Sequence, residues 1–337
     1  MKSLFRIAFF FTVTLSIPRY ILAQSFPESV PDKNIAIPGN GGYASLAMDS
    51  AAGRLYISHG TQVVVFDVAT EQLIGSINNM VGVHGIAIAS SFKKGFISDG
   101  KGNALVVFDL QTLKVIKTIP VSGEDPDAIL YDPFSQKVFA FNGDSQNASV
   151  IDAATLQQTG TIALGGTPEF AVSDGEGKIY SNTEDKNIVH VIDAKTEKII
   201  RSIPLDPCGG PTGLALDKKN QRLFTVCRKN KGMSVIDIVS GKVISTIPIG
   251  AGVDAVVYDA PTGIIFCSNG DGTATIIHQD SPDSYSVVQT LSTQWKAKTL
   301  AFDSGSRKLY FSAFDMEPGT KNRIPGSFKL LIYKPKS

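Results

Sequence analysis

Apolar and polar residues alternate along this chain in a pattern that restarts about every forty-two residues. The run HVIDAKTEKIIRSIPL, residues 190–205, shows it plainly. An apolar-rich stretch closes on Asp, an Asp-x-x-Thr segment follows, and a second stretch alternates, which predicts a β-hairpin. Nearly the same phrase returns as VVFDVATEQLIGSI from Val64, VVFDLQTLKVIKTI from Val106, SVIDAATLQQTGTI from Ser149 and SVIDIVSGKVISTI from Ser234. The carboxylates of Asp67, Asp109, Asp152, Asp193 and Asp237 suit capping of turn N–H groups, which assigns them to the scaffold rather than to catalysis.

The full unit opens on a Gly-rich turn, as in Gly165-Gly166-Thr167-Pro168. A short apolar strand follows and ends on Asp49, Asp132, Asp174, Asp217, Asp259 or Asp303, with Ala89 in that place once. A turn with a basic residue (Arg54, Lys137, Lys178, Arg222, Lys308) leads to a strand headed by an aromatic: Tyr56, Phe96, Phe139, Tyr180, Phe224, Phe266 or Tyr310. The hairpin supplies two more strands. No amphipathic helix of any length interrupts the pattern. Seven units of four antiparallel strands predict an all-β, seven-bladed propeller. The seventh unit lacks its last strand: Phe328 to Tyr333 is followed by four residues only. The segment from Asn34, NIAIPGNGG, matches fourth strands elsewhere, so the N-terminal strand is expected to pair in the last blade and close the ring.

The spelling P-x-x-ϕ-ϕ-ϕ-D, then K-ϕ-Y-ϕ-S/T-N, then ϕ-x-V-ϕ-D-x-x-T resembles the YVTN family of seven-bladed propellers over the chain after its first two dozen residues. That family includes exported bacterial proteins that resemble surface-layer proteins or quinoprotein amine dehydrogenase β-chains. No blade spells Tyr-Val-Thr-Asn literally; Tyr56-Ile57-Ser58-His59 and Phe266-Cys267-Ser268-Asn269 come nearest. The resemblance implies the fold and says little about activity, because propellers host many functions.

The first residues stand outside the repeat. Lys2 and Arg6 precede an apolar run, Ile7 to Ile17, and a cleavage-like Ile21-Leu22-Ala23, the layout of a secretory signal peptide over 1–23. An uncleaved anchor is the alternative. Cleavage would leave a single propeller domain over 24–337, with 29 basic against 31 acidic residues, a net charge of −2. Such a chain argues for no nucleic-acid partner, and no second apolar run is long enough to span a bilayer. A periplasmic or secreted monomer is expected. Cys208, Cys227 and Cys267 form neither a C-x-x-C pair nor a haem site, and are expected as buried, unpaired thiols.

Catalytic signatures are missing: there is no G-x-S-x-G elbow, no phosphate loop and no H-E-x-x-H. His190 and His278 fall on third strands, where a structural role is expected. Positions that differ from blade to blade are the better candidates. One set lies five residues before the first-strand Asp: Ala44, His84, Asp127, Glu169, Thr212, Asp254 and Lys298. The other lies three residues after the leading aromatic: His59, Asp99, Asn142, Thr183, Cys227, Asn269 and Ala313. Both are expected at one end of the propeller, beside the channel, with the polar members aimed at one ligand. Trp295, in the turn before the last blade, and the long connection 314–327 are placed on the same face, Trp295 on the surface rather than in the core.

The pattern favours a non-catalytic exported propeller that binds a small ligand or a protein partner at its channel mouth. The alternative is a lactonase-type hydrolase or isomerase using a divalent metal. No cofactor is evident, but Asp127, Asn142, Glu169, Asp254 and Asn269 offer oxygen ligands that suit Ca²⁺ or Mg²⁺.

Overall fold

The computed structural model describes residues 27–39, 41–320 and 322–336. The expected signal peptide lies outside them. The chain forms seven four-stranded antiparallel sheets arranged as the blades of a propeller. Blade 1 is typical, with strands Tyr43–Asp49, Arg54–His59, Gln62–Asp67 and Gln72–Ile77 in that order from channel to rim. Helical structure among the described residues is limited to two single turns, Ser90–Phe92 and Gly100–Gly102.

The strand patterns follow from this packing. Second and third strands are covered on both faces by neighbouring blades, so they read as apolar runs, buried almost throughout in Arg54–His59 and Gln62–Asp67. Fourth strands stand at the rim and alternate, as Gln72–Ile77 does. The leading aromatics are all buried, between blades rather than within them: Tyr56 meets Phe108 at 5.6 Å between ring centroids, and Phe224 meets Tyr258 at 5.2 Å.

Both repeated polar signals are structural. Asp67, Asp109, Asp152 and Asp193 each accept the backbone N–H and the hydroxyl of the Thr three residues on, at 2.7–2.9 Å. The basic residue heading the second strand reaches the outer hairpin of the next blade. Lys94 donates to Ala153 O at 3.0 Å, Lys137 pairs with Glu197 at 2.6 Å, and Arg222 pairs with Asp283 at 2.8 Å.

The ring closes with the N-terminal strand, as the repeat predicts. The last sheet runs Leu300–Asp303, Lys308–Ala313, Lys329–Pro335, Ser29–Ala36. The final pairing is antiparallel, with Ile35 opposite Leu330 and Ala36 opposite Lys329. Beyond it, Ile37 donates to Phe328 O at 2.9 Å and buries its side chain among Leu55, Ile57, Val64, Leu330 and Ile332. Asp32 pairs with Lys334 at 2.9 Å, while Lys33 and Lys308 both bind Glu71 of blade 1, tying the seam across blades.

The cysteine expectation is corrected. Cys208 and Cys227 form a disulfide; Cys267 alone stays free and buried, and burial pushes its thiol pKa up. The reason is register. In blade 5, Pro211 lies opposite Cys227, and Gly209-Gly210 lets the chain fold Cys208 back beside it, with Cα atoms 5.3 Å apart. Nineteen residues separate the two in sequence, a distance that the antiparallel turn removes.

Candidate functional site

Five of the variable first-strand positions meet at one end of the channel. His84, Asp127, Glu169, Asp254 and Lys298, from five different blades, line a cavity of about 500 Å³ together with Arg228. Thr212, from the same series, is buried. Nothing is described for the side chain of Ala44.

The blades hold these residues by their backbone. A small polar side chain two residues after the leading aromatic donates to the carbonyl of the cavity residue in the next blade. Ser98 Oγ reaches Asp127 O at 2.6 Å and Asn182 Nδ2 reaches Thr212 O at 2.7 Å. Ser58 and Ser268 do the same to His84 O and Lys298 O. Close approach of the blades demands glycine at one point beside the channel: a Cβ on Gly213 would lie 2.8 Å from the backbone oxygen of Asp254 and 2.8 Å from Val256 N in the next blade.

The charges divide into two groups. In the first, Arg228 Nη2 binds Asp254 at 2.6 Å, Arg228 Nη1 binds Glu184 at 3.0 Å, and Lys298 binds the other Asp254 oxygen at 2.9 Å. Burial opposes the guanidinium charge, but the carboxylates of Asp254, Glu169 and Glu184 outweigh it and hold Arg228 more firmly protonated than usual. In the second, His84 Nδ1 sits 3.0 Å from Asp127 and its Nε2 3.8 Å from Asp125. The Asp127 hydrogen bond raises the imidazole pKa against the cost of burial. Between the groups stands Glu169, with Arg228 no nearer than 4.0 Å and no hydrogen bond to its carboxylate among the described residues. Burial, then the charges of Asp254 and Asp127, push its pKa well above the ordinary carboxylate value.

The second-strand series does not line this cavity. Asp99 accepts the backbone N–H groups of Val81 and Gly82 at 3.0 and 2.7 Å. Asn142 donates to Asn147 and Ser149, and Asn269 to Thr273 and Thr275. Thr183 is buried and Cys227 is in the disulfide. His59 stacks on Phe328, with centroids 4.1 Å apart and planes 3° from parallel. It borders a second cavity, about 510 Å³, between Gly39, Gly41 and Gly42 on one side and Phe314, Arg323 and Phe328 of the last-blade connection on the other. His190 is buried between Ser202 Oγ and Leu164 O, and His278 binds Asp280.

The five candidate metal ligands are therefore not gathered at one point. Asn142 and Asn269 are engaged in their own turns and Asp254 is shared by two cations. No group of three or more His, Cys, Asp or Glu among the described residues is spaced to hold a metal. Trp295 is 44% exposed, does not border the central cavity, and carries Lys296 Nζ 4.9 Å from its ring centre. Its neighbour Gln294 donates to Phe314 O at 2.8 Å, fastening the turn to the 314–327 connection.

Arg228 and its partner Glu184 are absent from both series read from the sequence, yet the repeat carries their signal. One residue past the second-strand series the blades read Gly60, Gly100, Gly143, Glu184, Arg228, Gly270 and Phe314. Each of the first six donates the same backbone hydrogen bond to the turn before its blade, at 2.8–3.0 Å. Glycine is the common choice there, so a charged side chain marks an addition to the scaffold.

No protein-family model matches this chain. Among the described residues no helix is long and apolar enough to cross a membrane. Among curated proteins, antigen Lp49 of Leptospira interrogans serogroup Icterohaemorrhagiae serovar copenhageni (strain Fiocruz L1-130) is 26% identical over 183 residues. The match takes in 52% of this chain and spans 38% of that protein. The chain is a seven-bladed β-propeller with partial similarity to that antigen, and its fold is consistent with a binding role.

Proposed function

We propose that this is an exported binding protein whose ligand enters the channel mouth between His84, Asp127, Glu169 and Lys298. The observation that carries this reading is convergence. Side chains from five blades, four residue types among them, surround a cavity large enough for a small metabolite. The scaffold holds their backbones in fixed register, as a preorganised binding site requires. Three features support export to the periplasm or beyond: the N-terminal leader pattern, the Cys208–Cys227 disulfide, and the likeness to a protein named as an antigen. The YVTN-like spelling of the blades points the same way.

A thermal-shift screen of small polar metabolites tests the site. At least one compound should raise the melting temperature of the native protein and lose that effect in His84→Ala/Lys298→Ala. If every stabilising compound acts equally on both, or none acts at all, the cavity is not the binding site.

A further inference from the structure

We infer that the mouth cavity selects an organic cation, an ammonium- or guanidinium-bearing metabolite, with Glu169 as its principal counter-charge and Asp127, already hydrogen-bonded to His84, beside it. This rests on the cavity being the binding site. Three carboxylates line it (Asp127, Glu169 and Asp254) beside Arg228, Lys298 and His84, and two more stand behind them, Asp125 against His84 and Glu184 against Arg228. Both permanent cations are already committed: Asp254 takes Arg228 and Lys298, and Glu184 takes the other arm of Arg228. An anionic ligand would have to break these pairs. The carboxylate left over is Glu169, which lines the cavity, keeps 16% of its side-chain surface exposed, has Arg228 no nearer than 4.0 Å, and accepts no hydrogen bond among the described residues. A largely buried acid without a donor is costly to ionise, and an incoming N–H⁺ group repairs that deficit with a charge-assisted bond.

Two further features set the class of cation. Leu46, Ile86 and Phe170 contribute apolar surface to the wall, which suits hydrocarbon and is wasted on a bare ion. The carboxylates also approach from separate blades and are not spaced as a metal coordination group. A metal ion of the calcium type needs six or more oxygens around one point.

The binding step then has a proton signature. Asp254, Asp127 and Glu184 face Glu169 as like charges and Arg228 as the opposing one, and together with burial they favour its protonated form. A bound cation reverses that preference, so binding should expel a proton.

Calorimetric titrations with putrescine, choline and agmatine, set against succinate and glucose, test this. At least one ammonium or guanidinium probe should saturate one site per chain and release protons, seen by comparing buffers of different ionisation enthalpy. Glu169→Gln should weaken that probe by about tenfold or more and abolish the proton release. A melting temperature not below that of the native protein shows that the variant is folded. If only succinate or glucose binds, and Lys298→Ala removes it, the cavity is the site but its ligand is not a cation. If none of the cationic probes binds, or Glu169→Gln binds them unchanged, the inference fails.

Discussion

Truncating Ile37 to alanine should destabilise the whole propeller, although the residue lies on the N-terminal segment, just past the last rim strand. Ile37 is 1% exposed and packs against strands of both blade 1 and blade 7, so it sits on the seam that closes the ring. Its backbone hydrogen bond to Phe328 O survives the substitution, which isolates the side chain. Three buried carbons are lost, worth about 2.4 kcal/mol at about 0.8 kcal/mol each. The remaining cavity, enclosed by residues from two blades, should raise the cost to about 3–4 kcal/mol, within the range of roughly 2–5 for such truncations. For a domain of this size that is a fall in melting temperature of about 5–6 °C. The matched control is Ile74→Ala, on the rim strand of blade 1 and 42% exposed, which should change stability by no more than about 0.5 kcal/mol. Differential scanning calorimetry with parallel urea melts measures both. Equal shifts for the two variants, or a loss below about 1 kcal/mol for Ile37→Ala, would refute the claim that the N-terminal segment is an integral part of the last blade.

Replacing both Cys208 and Cys227 with serine should cost about 3 kcal/mol, the value for closing a loop of roughly this length, and an unchanged urea midpoint would contradict it. Glu169 holds its proton more tightly in the folded state than in the unfolded chain. The stability it lends is complete below the ordinary carboxylate range and is lost as pH rises through its raised folded value. As pH rises above the ordinary carboxylate range the native protein should therefore lose stability relative to Glu169→Gln, and a flat or opposite difference in melting temperature would count against the buried carboxyl. Trp295 is the sole tryptophan, so the protein's indole emission should be red-shifted and readily quenched by iodide; a blue-shifted, quencher-resistant band would place the ring in a core.

The fold was readable because the same physical problem is solved seven times. An aromatic between blades, an Asp closing the inner strand and an Asp-x-x-Thr hairpin recur at one spacing, and each does in the structure what its chemistry suggests. The first-strand series was readable for the complementary reason, since His84, Asp127, Glu169, Asp254 and Lys298 have no common scaffold task. The second-strand series does not follow this rule, because a strand that ends near the channel need not aim its side chain at the mouth. Asp99, Asn142 and Asn269 instead turn into their own blade's turns and satisfy polar groups there. Arg228 was hidden by its length. Its Cα sits at a position where most blades carry glycine, and only the extended side chain reaches Asp254 in the next blade. The disulfide escaped because pairing depends on strand register, which spacing along the chain does not display.

The most direct test of the account is a crystal structure of the mature protein purified from its own cells without removal of bound small molecules. The account predicts density for an organic molecule in the channel-mouth cavity, with a nitrogen within hydrogen-bond reach of the Glu169 carboxylate and Asp127 on its other side. A cavity filled only by ordered water, with a ligand found instead beside His59 and Phe328 beneath the last-blade connection, would contradict it.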